Sequence, residues 1–284
     1  LGLSVARDGG GGLVYLKQVG GNAHVFVSPL AGGVFAPPVE LDGDLVGSSS
    51  QPVIAAGNDG LLLVAFINAG QLYVSQQRSS GSAMSAPVAL IGGAVNPTIS
   101  ITNFGKAYLA FTVADGSGQD VRAAYYNGSW SLEPSPLNVA AADNAGSGSG
   151  RPAVVAAGDG VAIVAWGEAG GIFTRRVWGI APSTVYEQAD GPLPGCTELS
   201  ADGPVIGAGG DSSYVPVAFH EQLSCGGSPA SRVLTNRLHG SAYDGINQPD
   251  GLGGGGDGAV SPQLAIGEFG QGIVTSERTA SHAL

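Results

Sequence analysis

The segment PAVVAAGDGVAIVAWGEAGGIFTRR, Pro152 to Arg176, restates a phrase that the chain has already written from Pro52 onward as PVIAAGNDGLLLVAFINAGQLYVSQQ. Self-similarity constrains a fold strongly, because each copy is one supersecondary unit that must bury its faces against its neighbours. Aligned on Pro52, Pro97, Pro152, Pro204 and Pro262, the copies carry Gly60, Gly105, Gly160, Ser212 and Gly270 eight residues later. Six residues beyond that turn stands a large side chain, Phe66, Phe111 or Trp166; Phe219 follows after a one-residue insertion, and the last copy has Ser276. A first copy fits with Gly2, Gly10 and Leu16 in the three positions. The spacings of 50, 45, 55, 52 and 58 residues match propeller blades of about 40–50 residues, whereas a sandwich domain needs about 100.

Four strands are legible in a copy. Strand A is the small-residue run PVIAAG or PAVVAAG, closed by NDG or GDG, a tight turn whose glycine supplies positive φ. Strand B is a nearly continuous apolar run, LLLVAF, AYLAF or VAIVAW, the pattern of a strand buried on both faces. Strand C alternates, as in HVFVS, QLYVSQQ, DVRAAYY, IFTRRV and RVLTNRL, and a fainter strand D follows, as in FAPPVEL and SAPVAL. The small residues of strand A suit a crowded axis where blades converge. No stretch holds a helical period. The expected fold is an all-β propeller of four-stranded blades forming one domain, 1–284, with blades at 1–50, 51–96, 97–150, 151–203 and 204–261 and a partial sixth at 262–284, six- or seven-bladed overall.

Composition narrows the function. A net charge of −11 and a pI near 4.5 leave no electrostatic footprint for nucleic acid. The longest apolar run, Leu61 to Ile67, is a strand's length and far short of a membrane span. The N-terminal LGLSVARDGG has no initiator Met, basic n-region or apolar h-region, so the reading is a mature or excised chain, any export signal being already removed or outside it. A glycine-rich, charge-poor composition with two cysteines favours a secreted or cell-surface protein. Cys196, leaving blade 4, and Cys225, between strands B and C of blade 5, are expected to open on one face and form a disulfide. Closing that 29-residue separation contributes about 3–4 kcal/mol in the chain-entropy account.

The segment YNGSWS, Tyr126 to Ser131, and the blade phrase itself resemble the repeats of secreted bacterial β-propellers, a group with sialidase-like and lectin-like members. The resemblance covers nearly the whole chain and implies a glycan bound or cleaved on one face of the disc. The sialidase Asp-box, Ser-x-Asp-x-Gly followed by Trp, has no clean match, so no family active site carries over. Asn127-Gly128 reads as a hairpin turn and, with Ser129, as a formal N-glycosylation acceptor.

Other constellations carry less. Gly253, Gly255 and Gly258 spell GxGxxG but precede a strand rather than a helix. His220-Glu221 lacks the second histidine of a zinc motif, since Ser224 stands there, and His24, His239 and His282 fall in different copies, so no metal site is expected. ADGSGQD, with Asp115 and Asp120, is the one place where calcium is considered, and it lacks the acidic density of a calcium loop. Glu168 and Glu221 both follow strand B and would share a face one blade apart, where a glycosidase pair would need its carboxyls about 5 Å or about 6.5–9.5 Å apart; the plainer reading has them solvating loops. Trp130, Trp178 and Tyr186 read as outer-strand residues.

The loops opposite the tight turns, DGDLVGSSS, DNAGSGSG, DGPLPGCTELSADG and DGLGGGGDG, are long and varied, as binding loops on a repeat scaffold are. The candidate ligand-binding residues are Asn68, Asp115, Glu168, His220 and Glu221. The functional expectation is a non-catalytic module of an exported or surface protein that binds a glycan or a protein through this face. A structural subunit that self-assembles through open strand edges and a glycoside-cleaving propeller are the alternatives.

Overall fold

The computed structural model describes residues 1–116, 118–140, 144–249, 251, 258–267 and 269–279. Its sheets follow the repeat. Blade 1 holds β1 (Gly2–Val5), β2 (Gly11–Val19), β3 (Asn22–Ala31) and an outer strand split into β4 (Val34–Phe35) and β5 (Val39–Glu40), both paired with β3. Blade 2 holds β6 (Ser49–Ala56), β7 (Leu62–Asn68), β8 (Gln71–Gln77) and β9 (Val88–Gly92); blade 3 holds β10 (Ala94–Ile101), β11 (Ala107–Asp115), β12 (Gly118–Tyr126) and β13 (Trp130–Leu132). Blade 4 holds β14 (Ala153–Ala156), β15 (Ala162–Glu168), β16 (Gly171–Trp178) and β17 (Ala181–Gln188); blade 5 holds β18 (Cys196–Ile206), β19 (Tyr214–Cys225), β20 (Ser228–His239) and β21 (Ala242–Tyr243). β22 (Ala259–Ile266) and β23 (Gly272–Arg278) form a two-stranded sixth sheet. All pairings between named strands are antiparallel. The fold is thus a β-propeller with five full blades and a partial sixth.

In the inner blades strand B is buried on both faces because each of these blades is sandwiched between two others, whereas β2 and β23 at the two ends of the series are partly exposed. All seven residues of β7 and all seven of β15 are buried, while β17 at the rim is largely exposed. The large side chains of the second to fifth copies fill the groove of the preceding blade. Phe66 packs with Val14, Val25 and Val27; Phe111 with Ala65, Ile67 and Leu72; Trp166 with Tyr108, Ala110, Val121 and Ala123; Phe219 with Ala165 and Ile172. Leu16 occupies the same slot in blade 1 and is exposed, as are Leu3 and Val5 beside it.

Two faces result. The turn face carries the A-to-B turns, where Asp59 (φ 61°) and Gly60 (φ 78°) are both left-handed, and a Cβ on Gly60 would fall 2.3 Å from the Ser80 nitrogen. In blade 1 the left-handed glycine is Gly9 rather than Gly10, and in blade 5 it is Gly210, two residues ahead of Ser212. The opposite, hairpin face carries the B-to-C hairpins and the loops between blades.

Cys196 and Cys225 form a disulfide with Cα atoms 4.1 Å apart. They are direct cross-strand partners at the ends of β18 and β19, so the bond ties strands A and B of one blade, not the connection of one blade to the loop of the next. The reason is strand length: β18 and β19 run to 11 and 12 residues, which draws both cysteines out of the loops and into the ladder. Of the glycine motif only Gly258 lies within the described residues; Gly253, Gly255, His282 and Ser117 lie outside them. Among the described residues no helix is long and apolar enough to cross a membrane.

Because Phe111 is fully buried between blades 2 and 3, Phe111→Ala is expected to lower unfolding free energy by about 3–5 kcal/mol. Urea denaturation of the two chains measures it, and a loss below about 1 kcal/mol would contradict the wedge role.

Candidate functional site

The centre of the hairpin face is shaped by proline. Pro has no N–H to give the ladder, and strand A is bulged at Gln51-Pro52, Asn96-Pro97, Gly203-Pro204 and Ser261-Pro262. The residue before each of these prolines is left-handed, with φ of 51° at Gln51, 55° at Asn96, 60° at Gly203 and 55° at Ser261. Three of the four are not glycine, and such conformations persist only where the surroundings hold them. Here the Asn96 N–H donates to Gln51 Oε1 at 2.6 Å, linking neighbouring bulges. Arg151 precedes Pro152 at the equivalent place in blade 4, after a short 3-10 turn at Gly148–Gly150.

The bulges turn polar side chains toward the axial mouth. Two hollows of about 450 and 410 Å3 lie there and share Arg151, Pro204 and Val205. The larger sits at the blade 5–blade 6 junction and is lined by Ser149, Arg151, Asp202, His220, Ser261 and Gln263 among others. Asp202 and His220 are cross-strand partners on β18 and β19, and Asp202 Oδ1 lies 2.7 Å from His220 Nδ1. The other carboxylate oxygen accepts the Ser149 hydroxyl at 2.8 Å. On the far side of the ring, Nε2 is 2.7 Å from Ser231 Oγ and 3.2 Å from the Gln222 amide nitrogen. With its proton on Nδ1, the imidazole donates to Asp202 and accepts at Nε2. Ser231 Oγ also lies 3.2 Å from the Ala259 carbonyl oxygen, so its one proton has two acceptors.

The five sequence candidates do not gather. His220 lines the larger hollow. Glu221 follows it on the strand and therefore points to the opposite face, where it is 0% exposed with both oxygens lacking a hydrogen-bond partner. Asn68 is buried and donates to Ser49 Oγ at 3.1 Å. Glu168 is also buried; it accepts the Val139 and Ala140 N–H groups and the Trp166 indole N–H, at 2.9, 2.7 and 2.8 Å. It clamps the loop leaving blade 3 instead of solvating its own. Only Asp115, ending β11, is exposed.

Sequence reading passed over two features. Asp42, Asn138 and Asp190, each in a loop between blades, accept the N–H of Val25, Val121 and Ile172, near the start of strand C, at 3.0, 2.8 and 2.8 Å; their recurrence after strand D was the available signal. Asp202 was the second, and its only mark was its place beside Gly203-Pro204.

Three carboxyls elsewhere have pKa values raised above the usual range. Burial, reinforced by the nearby Glu198 and Asp190, pushes the Glu221 pKa up to about 8. Burial likewise raises Glu133 to about 7, against the pull of Arg175 and Arg122. Glu198 is raised by burial and by its hydrogen bond and charge repulsion with Asp190.

No protein-family model matches the chain, and no curated protein matches it. Solved structures do. A protein of unknown function from Dyadobacter fermentans is 11% identical at a TM-score of 0.50, covering 86% of this chain and 92% of that one. A mutant Aleuria aurantia lectin in complex with Fucalpha1-6GlcNAc is 10% identical at a TM-score of 0.50, covering 99% and 87%. A Hadza microbial sialidase is 12% identical at a TM-score of 0.48, covering 91% of this chain and 60% of that one. At such identities the likeness of the first two is one of fold.

A carboxyl whose pKa is higher folded than unfolded binds its proton more tightly in the native state. Its stabilisation is complete below the unfolded value of 4.5 and is lost as pH rises toward the folded values of about 7 and 8. The melting temperature should therefore fall between about pH 5 and about pH 8, and Glu221→Gln should flatten that fall and raise the melting temperature at the upper end. Thermal melts across the range decide it; an unchanged slope in the variant would contradict the protonated Glu221.

Proposed function

We propose that the protein is a glycan-binding propeller module of an exported or cell-surface protein, receiving its ligand at the axial mouth of the hairpin face. The observation that carries this is the hollow of about 450 Å3 at the blade 5–blade 6 junction. Sugar recognition needs fixed acceptors and donors beside small apolar surfaces. Asp202, held on one oxygen by His220 and on the other by Ser149, is such an acceptor. Arg151, Gln263 and Ser261 supply polar groups around it, and Pro204 and Pro262 supply the apolar floor. The fold likeness to a lectin solved with Fucalpha1-6GlcNAc supports glycans as the ligand class. The disulfide supports an oxidising compartment.

A second reading, hydrolysis, is favoured by one observation. Ser231, His220 and Asp202 are joined by two contacts of 2.7 Å, the connectivity of nucleophile, base and orienting acid. Binding is preferred because Ser231 does not line the hollow and its hydroxyl also faces a carbonyl.

A glycan array on the purified chain tests the first reading. Saturable binding is expected, weakened at least about tenfold by Asp202→Asn or Arg151→Ala, while Trp178→Ala at the rim leaves it unchanged. Absence of binding, or binding indifferent to Asp202 and Arg151, would overturn it. Turnover of an aryl ester or glycoside, or fluorophosphonate labelling lost in Ser231→Ala, would install the second reading instead.

A further inference from the structure

A separate cluster lies on the hairpin face at the rim of blade 1, and it goes beyond the glycan reading. His24, the third residue of β3, stands between two carboxylates: its Nδ1 is 3.1 Å from Glu40 Oε1 and 3.3 Å from Asp42 Oδ1. The three donor atoms all lie within 4.8 Å of one another. Despite those short distances, Nδ1 is buried without a hydrogen-bond partner, so the ring nitrogen aims at neither oxygen well enough to bond it.

We propose that His24, Glu40 and Asp42 form a binding site for a divalent transition-metal cation, with zinc as the best fit. One imidazole nitrogen and two carboxylate oxygens suit zinc, and the nitrogen weighs against calcium or magnesium, which take oxygen ligands. Metal–ligand bonds of about 2.0–2.2 Å in a tetrahedron set ligands about 3.3–3.6 Å apart, and somewhat less in higher coordination. The two N–O separations, 3.1 and 3.3 Å, are close to that size, and all three atoms lie within 4.8 Å of one another, a spread that a bound ion can draw together.

The surroundings orient these ligands. Asp42 is fully buried; its Oδ1 accepts the Val25 N–H at 3.0 Å, and its Oδ2 accepts the Ser49 hydroxyl. Ser49 in turn receives the Asn68 amide at 3.1 Å. Such outer partners fix a ligating carboxylate in place. Asn68, one of the sequence candidates, thus supports the cluster through Ser49. Glu40 is about one-third exposed, with 34% of its side chain accessible, which opens the site to solvent and gives the ion an entry path. The nearby Lys17 ammonium is engaged over the Phe26 ring, 5.3 Å from its centroid.

The test uses the tag-free, chelator-treated chain and isothermal titration with zinc, manganese and calcium chlorides, with cobalt(II) absorption reporting coordination. One zinc per chain is expected, bound tighter than calcium and weakened by more than about tenfold in Glu40→Gln and in His24→Ala, with His239→Ala unchanged. Glu40 is a surface residue, so its variant keeps the test readable should His24→Ala fail to fold. No zinc binding by the parent chain, tighter binding of calcium, or zinc binding unaltered in Glu40→Gln would overturn the proposal.

Discussion

The contact on which the rest of the structure depends is the insertion of one large apolar side chain from strand B into the groove of the preceding blade. Phe66, Phe111, Trp166 and Phe219 are each fully buried there, and each ties two sheets that share no strand. A blade has two apolar faces and a polar rim, so it has no stable existence alone; burying both faces requires neighbours on each side. The same logic explains why Leu16, in the slot of blade 1, is exposed together with Leu3 and Val5.

Once the blades are stacked, their strands A lie side by side around the axis. X-Pro bulges interrupt four of them. They break the ladder, place left-handed residues at Gln51, Asn96, Gly203 and Ser261, and turn side chains toward the axis. Backbone strain and the candidate binding hollow therefore share an origin: the proline that marks the repeat also shapes the mouth. Polar clamps then fix the loops between blades, with Asp42, Asn138 and Asp190 each accepting a backbone N–H near the start of a strand C.

The polar residues that follow strand B divide by environment rather than by position in the repeat. Asn68, Glu168 and Glu221 occupy equivalent places two residues after the slot, yet they meet different partners. Asn68 bonds a serine, Glu168 holds two backbone N–H groups and the Trp166 indole, and Glu221 is left unpartnered. Trp166 and Glu168 form the one such pairing that a strand reading anticipates, since residues two apart share a face and a buried indole N–H needs an acceptor.

The sequence by itself determined the repeat, the blade order and the burial of strand B in the inner blades. All of these follow from local periodicity and from a phrase written several times over. The sequence also offered two cysteines, and the structure decided that they pair across one blade. Only the tertiary structure decided which polar residues meet. Asp202, His220 and Ser231 lie on three strands of one blade, Ser149 joins them from another, and His24 reaches Glu40 and Asp42 across blade 1. Those meetings depend on register, on a one-residue bulge and on which face of a strand a side chain takes. A shift of one residue exchanges the faces, and the pattern of apolar residues records which positions are buried without recording what stands opposite them.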